Sequence, residues 1–176
     1  MRNAPPARNQ SFARLGELIR EIDIAMLVTV TGDGALRSRP MATQQIDPGE
    51  GTIWFFTSSD SPKSDEILHK QQVNLAYASA EKQSYISVAG RAHLVRDSAK
   101  TRELWKPAAK IWFPQGVDDP NLALLRVDVT AAEYWDSPSN KMVQLYGLAK
   151  SLITGETGKA PGENAKLKIP TRDLQS

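Results

Sequence analysis

The residues best suited to chemistry in this chain are two arginines, a cluster of hydroxyl side chains and a lysine, all close together in the sequence. They are Arg37, Arg39, Thr57, Ser58, Ser59, Ser61 and Lys63. Guanidinium and ammonium groups bind phosphate through charge-assisted hydrogen bonds, and hydroxyl groups donate further hydrogen bonds to it. The set therefore predicts a site for a phosphate-bearing ligand.

A strand that leads directly into a helix would position the hydroxyl groups. Residues 53–58 form a β-branched and aromatic run that is typical of a buried strand. Ser61 followed by Pro62 is typical of a helix start, and the helix should continue to about Lys70. The first amides of a helix have no intrahelical partner, so this junction is suited to binding an anion. Within it, Ser61 is favoured as a cap and Thr57 as a ligand contact.

The preceding strand, residues 35–42, should bring the arginines to the same corner. A Pro-Gly turn separates the two strands, and an antiparallel hairpin centred on it would place Arg39 opposite Ser59 and Met41 opposite Thr57. Side chains alternate along a strand, so Arg37 shares a face with Arg39.

Each of these features also has an ordinary structural alternative. Paired arginines occur on solvated strand faces, and serine and threonine are favoured at turns and helix caps. Lys63 could be an exposed first-turn lysine, although the helix dipole disfavours a cation there and a bound anion would offset that effect.

Composition narrows the class of protein. The 176 residues suffice for one domain and a tail, and the net charge of +2 gives no general argument for nucleic acid. With no cysteine and only two histidines, disulfides and thiolate metal ligands are excluded and a zinc site is disfavoured. The start of the chain lacks the apolar core of a secretion signal, and no apolar run could span a bilayer. We therefore expect a cytoplasmic protein without a nucleic-acid or membrane partner.

Hydrophobic periodicity predicts a mainly β fold with added helices, organised as a six-stranded antiparallel barrel. Helices are expected at 9–21, at 62–70 and from Asp97 or Ser98 onward. Strands are expected at 25–31, 35–42, 53–58, 73–78, 85–95, 122–129 and 132–136. Gly90 should mark a bulge, and Pro107 should kink the last helix or divide it into two short ones.

The composition changes at about residue 150, where Ser, Thr, Gly, Lys and Pro become dominant. We therefore expect a domain at 1–149 and a basic tail at 150–176. Such a tail cannot bury enough apolar surface to order itself alone, so it is either mobile or draped over a neighbouring surface.

Four motifs in order carry a resemblance to a known family. They are Arg37-Ser38-Arg39-Pro40-Met41, the stretch from Trp54 to Lys63, Ser87-Val88-Ala89-Gly90-Arg91-Ala92 and Glu133-Tyr134-Trp135-Asp136, with Trp105 and Trp112 preceding an Asp118-Asp119-Pro120 loop. In these the chain resembles the bacterial general stress proteins of the pyridoxamine 5′-phosphate oxidase-like, FMN-binding split-barrel superfamily.

The resemblance implies a six-stranded split β-barrel that works as a homodimer, with FMN in a groove between the subunits. The residues implied for the phosphate and ribityl chain are Arg37, Arg39, Thr57, Ser58 and Lys63. Backbone near Pro40 and Met41 and the side chain of Phe56 would line the flavin ring. Trp105, Trp112 and Trp135 would approach the ring or close the groove from the partner subunit.

The resemblance leaves the activity open. No histidine follows His93, and the chain ends without the basic substrate-binding segment of true pyridoxamine phosphate oxidases, which argues against that reaction. We expect an FMN-binding protein that acts as an oxidoreductase on a small molecule. The alternative is a flavin or nucleotide storage or sensor module without turnover, and FAD is the alternative to FMN. A barrel that binds haem or a deazaflavin is a third reading, for which two histidines offer few haem ligands.

Overall fold

The structure is a computed structural model that describes residues 6–136 and 163–168. Its helices and strands, in chain order, are α1 (Pro6–Ile22), β1 (Ile24–Val30), β2 (Leu36–Asp47), β3 (Thr52–Ser58), α2 (Pro62–His69), β4 (Gln72–Ser79), β5 (Ser84–Val95), α3 (Ser98–Leu104), β6 (Leu122–Asp136) and β7 (Glu163–Lys168). Two 3₁₀ turns, Pro107–Ile111 and Gly116–Asp118, lie between α3 and β6.

Six antiparallel strands close into a barrel, which confirms the predicted fold class. The strands follow the order β3-β2-β1-β4-β5-β6, and β3 also pairs with β6, so the sheet closes on itself. Hairpins connect β1 to β2, β2 to β3 and β4 to β5, whereas α3 and the 3₁₀ turns connect β5 to β6. β1, which was expected at 25–31, is a central strand, since it lies between β2 and β4.

The bulge predicted at Gly90 is present and has a clear physical cause. The register between β5 and β6 shifts between Ala89 and Gly90, so that Thr130 becomes an extra residue on β6. A Cβ atom built on Gly90 would lie 2.6 Å from Val127 Cγ1 and 2.8 Å from a β6 carbonyl oxygen. Glycine is therefore needed there because the two strands approach too closely for a side chain.

The core fills the barrel and extends under α1. Phe12, Leu15 and Ile19 are buried on one face of α1, as the amphipathic pattern of that helix predicts. They join inward-facing residues of the strands, including Leu27 and Phe55.

The predicted boundary between two strands after residue 129 is wrong, whereas the predicted division at Pro107 is confirmed. Residues 122–129 and 132–136 are not separate strands, because β6 runs continuously through the bulge at Thr130. Trp105 and Trp112 lie on either side of the division that was predicted at Pro107. Trp105 is the C-cap of α3, and Pro107 opens a separate 3₁₀ turn, in accordance with the predicted division at that proline.

Part of the predicted tail is in the sheet. β7 pairs with Ala131–Asp136 at the end of β6, beyond the six-stranded ring. The other residues of the predicted tail lie outside the described residues, and the domain boundary at residue 149 stays a prediction. None of the helices within the described ranges is long and apolar enough to cross a membrane.

Candidate functional site

The arginine pair lies at one end of the barrel, on the inward-facing side of β2. Arg37, Arg39 and Met41 alternate onto one face, and Met41 is buried in the core. In the register with β1, Arg37 is directly opposite Thr29, which is fully buried. The arginines therefore continue the core face of β2 to the end of the barrel, where α2 packs against β1.

Helix α2 places a carboxylate between the two guanidinium groups. Glu66 is 9% exposed and faces the barrel on the buried side of α2. Arg39 Nη2 lies 2.8 Å from Glu66 Oε2, and Arg37 Nη1 lies 3.3 Å from Glu66 Oε1. The Thr29 hydroxyl donates to Glu66 and accepts a hydrogen bond from Arg39 Nη1. Four side chains thus form one closed network.

This network keeps Glu66 ionised. Burial disfavours the charged carboxylate, but hydrogen bonds from Thr29 and Arg39 and the charges of Arg39 and Arg37 together outweigh it, so the pKa of Glu66 lies below its usual value. The carboxylate consumes only part of the donor capacity of the cluster, since each guanidinium carries five N–H groups.

Lys63 adds a third cation to the same corner, in the first turn of α2. Its pKa is lowered by burial and by the positive charge of Arg39, which Asp60 partly offsets. Among the described side chains, no carboxylate lies within ion-pair distance of Lys63. The corner therefore holds more cationic than anionic groups in a partly buried setting, which is the electrostatic condition for binding an anion.

The hydroxyl residues form the wall between β3 and α2. The Ser58 carbonyl accepts hydrogen bonds from the hydroxyls of Ser61 at 2.9 Å and of Ser64 at 2.7 Å, and the Ser58 hydroxyl donates to Asp60. Ser61 occupies the N-cap position as predicted, but its side chain caps no amide of α2. The buried Thr57 hydroxyl has only a 3.5 Å contact with the Ser58 carbonyl.

The predicted hairpin register holds only in part. Thr43 pairs with Phe55, which is the register that would place Met41 opposite Thr57. The β2–β3 ladder ends at that pair, however, so Arg39 is not paired with Ser59 and instead lies opposite Leu27 of β1. A bulge between Thr43 and Gln45 shifts the remaining pairs next to the turn by one residue.

Other predicted site residues are divided between two surfaces. Pro40 is exposed on the outer face of the barrel, opposite Met26. The Phe56 ring packs against Trp105 of the same chain, with ring centroids 5.7 Å apart, and meets Phe113 edge-on at 6.5 Å.

The two remaining tryptophans of the predicted site are exposed. Within one chain, Trp135 is distant from the corner that holds Arg37, Arg39 and Lys63. Trp112 is 79% exposed and Trp135 is 39% exposed. Trp135 lies near the C-terminal end of β6, whereas Leu122, which pairs with Ser58, begins that strand. The structure therefore brings Arg37, Arg39 and Lys63 together, but does not bring Trp135 to them.

Sequence reasoning missed Glu66 and Thr29 as members of this corner. Glu66 lies within the helix expected at 62–70, in which the structure buries Ser64, Glu66 and Ile67. A carboxylate on the buried face of a helix that follows two inward-facing arginines is the signal that could have identified it. Nε2 of His93 lies 3.2 Å from Asp128 Oδ2.

No group of three or more histidine, aspartate or glutamate side chains among the described residues could hold a metal ion, and the chain has no cysteine. The corner itself offers guanidinium, ammonium and hydroxyl groups, which are hydrogen-bond donors suited to anions.

A closed six-stranded antiparallel barrel with a cationic corner between β2 and α2 defines the class of this molecule as an FMN-binding split-barrel fold. A pyridoxamine 5′-phosphate oxidase-related, FMN-binding protein from Nostoc punctiforme has the same fold: the TM-score is 0.61 at 16% identity, over 94% of this chain and 98% of that one. The model of the pyridoxamine 5′-phosphate oxidase-like family matches residues 10–159. The chain belongs to that family.

Two further relatives are closer in sequence. The general stress FMN/FAD binding protein from Xanthomonas citri is 30% identical, with a TM-score of 0.63 over 76% of this chain and 90% of that one. Protein bli-3 of Neurospora crassa is 27% identical over an alignment of 151 residues, and the match covers 81% of this chain and 71% of that protein. The resemblance to general stress proteins of this superfamily is therefore confirmed.

Proposed function

We propose that this chain is an FMN-binding protein of the general stress type, and that Arg37, Arg39 and Lys63 bind the flavin phosphate. The observation that carries the proposal is Lys63, a partly buried cation beside Arg39 whose pKa is lowered and which has no ion-pair partner among the described residues. A dianionic phosphate would compensate this charge and accept the unused guanidinium donors. Thr57 and Ser58 would contact the phosphate or the ribityl chain.

The donor set fits this cofactor. The three cations differ in geometry, since the guanidinium groups can bind two phosphate oxygens each whereas the ammonium group acts as a point charge. The first turn of α2 adds the backbone amide of Lys63, since Pro62 has no N–H and the amides of Ser64 and Asp65 donate to the Ser61 carbonyl. The Xanthomonas citri relative is an FMN/FAD binding protein, which supports a flavin as the ligand of this chain.

A bound flavin would supply the redox chemistry, and the protein would bind, orient and shield it. We propose that the flavin exchanges hydride or electrons with a small molecule, which makes the protein an oxidoreductase. The rival function is storage or sensing of a flavin without turnover. Reduction of the bound flavin by NADH or NADPH, at a rate well above that of free FMN, would exclude the rival.

We further propose that the protein works as a homodimer through the outer face of the barrel. Ile24, Met26, Tyr85 and Trp135 point outward from β1, β5 and β6, and each is 39–46% exposed. The register connects this face across strands, because Met26 is opposite Ala76 and Tyr85 is opposite Trp135. An exposed apolar face of this extent is typical of an interface. The dimer would let Trp112 and Trp135 of one subunit reach the flavin of the other.

The direct test of the ligand is titration of the purified protein with FMN and, separately, with riboflavin, which lacks the phosphate. We expect Lys63→Gln to weaken FMN binding roughly 10-fold or more, since hydrogen bonds to charged groups are worth about 1.5–3 kcal/mol. Riboflavin binding should stay unchanged. Lys70→Gln, at the opposite end of the same helix, is the matched control. A wild-type protein that binds FMN no better than riboflavin would contradict the phosphate site.

The test of the dimer is sedimentation velocity at micromolar concentration. The wild type should sediment as a dimer, and Met26→Glu should shift it toward monomer, because the substitution buries a charge in the proposed interface. Leu68→Glu makes a matched change on the exposed face of α2 and should leave the dimer intact. A monomeric wild type would refute the assembly.

A further inference from the structure

We propose that Glu66 is an internal competitor of the ligand phosphate: its carboxylate occupies the arginine pair in the ligand-free protein and lowers the affinity of the corner for phosphate. This inference rests on the proposed FMN site. It gives Glu66 a role in setting ligand affinity, although the residue need not touch the flavin.

The geometry supports competition because the carboxylate uses the donors that a phosphate would need. Both oxygens of Glu66 are engaged, with Oε2 on Arg39 and Thr29 and Oε1 on Arg37. A carboxylate that bridges two guanidinium groups presents the same kind of oxygen acceptors as a phosphate edge. It therefore neutralises part of the charge that would otherwise attract the ligand.

Glu66 is also held where it is. The residue is on the buried face of α2 between Ser64, which is fully buried, and Ile67, which is in the core. Hydrogen bonds from Thr29, Arg37 and Arg39 hold its carboxylate against the arginine pair. An incoming phosphate must therefore share the guanidinium groups with a fixed negative charge close by.

The surrounding groups determine the sign of the effect. Glu66 faces Arg37 and Arg39 from β2 and the uncharged Thr29 from β1. Near the same corner, Lys63 is cationic and Asp60 is anionic. Removal of the Glu66 charge enlarges the excess of positive charge at the corner, which should strengthen phosphate binding and at the same time destabilise the ligand-free protein.

The experiment compares Glu66→Gln with Asp65→Asn in two measurements. Asp65 directly precedes Glu66 on α2 and is exposed, so Asp65→Asn removes the same charge outside the network. In thermal unfolding without ligand, Glu66→Gln should lower the Tm by several degrees, whereas Asp65→Asn should leave it nearly unchanged. In fluorescence titration, Glu66→Gln should bind FMN about three- to tenfold more tightly, with riboflavin affinity unchanged.

The outcomes separate this inference from the proposed function. A wild type that binds FMN, together with a Glu66→Gln variant that binds it equally or less tightly, overturns the competition and leaves the FMN site standing. A wild type that binds no FMN overturns both. If Glu66→Gln does not fold, Glu66→Asp takes its place: it keeps the charge but retracts it from the arginines. We expect this variant to bind FMN about two- to threefold more tightly, and unchanged or weaker binding overturns the inference.

Discussion

Replacement of Arg39 by alanine should destabilise the protein because of what it does to Glu66. Arg39 makes two hydrogen bonds at the barrel end, one to the Glu66 carboxylate at 2.8 Å and one to the Thr29 hydroxyl. Its loss leaves a buried carboxylate that only Arg37, with a guanidinium side chain 59% exposed, and Thr29 still compensate. Hydrogen bonds to charged groups contribute about 1.5–3 kcal/mol, so we expect the free energy of unfolding to fall by roughly 2–3 kcal/mol.

A double-mutant cycle tests whether that cost comes from the uncompensated charge. Glu66→Gln alone should cost about 1–2 kcal/mol, and the double variant Arg39→Ala/Glu66→Gln should cost about 1.5 kcal/mol less than the sum of the two single changes. The assay is urea unfolding at pH 7, monitored by tryptophan fluorescence, without flavin. Arg37→Ala is the control, since its ion pair is longer and more exposed and should contribute no more than about 1 kcal/mol. Additivity of the Arg39 and Glu66 effects within about 0.5 kcal/mol would refute the reasoning.

Three further predictions concern acid stability, the bulge and the core. Folding lowers the pKa of Glu66 below the unfolded value of 4.5. The ionised carboxylate therefore contributes its full stability above that pH, and the contribution is lost as the pH falls through the lower folded pKa. In urea unfolding, the wild type should lose more stability than Glu66→Gln between about pH 5 and pH 3. Gly90→Ala should cost about 1–3 kcal/mol, because its methyl group would overlap Val127; an unchanged thermal midpoint would contradict the close approach. Tyr77→Phe should cost about 1 kcal/mol by removing the 3.0 Å hydrogen bond to Thr43, and equal stability by urea unfolding would show that this bond contributes nothing.

The barrel could be predicted because its determinants are local. Alternation of buried and exposed residues in β4 and β5 fixed which face of each strand turns inward, and Gly90 marked where the sheet must bend. The division of the inserted helix at Pro107 could also be predicted, because a proline ring clashes with the preceding helical turn. The continuity of β6 could not be predicted, because Thr130, the extra residue of the bulge, interrupts the alternation of buried and exposed residues as the end of a strand would.

The sequence predicts the three cations of the corner but not the carboxylate that pairs with the arginines. Arg37 and Arg39 were placed on one face by the strand period, and Lys63 by the helix start. The identity of their partner could not be inferred, because it depends on how α2 rotates against the barrel. That rotation is set by long-range packing of Ile67 into the core, and it turns Glu66 inward. The assignment of individual residues to a flavin thus stays a prediction.

The Glu66 network accounts for how two arginines can lie on the core-facing side of a barrel strand before any ligand arrives. Unpaired, the two guanidinium groups beside buried Thr29 would repel each other, and the mostly buried group of Arg39 would also lose solvation. A single carboxylate fixed on α2 relieves both costs, and it leaves Lys63 as the cation without an ion-pair partner among the described residues. Glu66 then stabilises the protein without ligand and at the same time lowers the affinity of the corner for an anion. Substitutions at Glu66 should therefore move the two quantities in opposite directions, whereas a residue with a purely structural role would lower both.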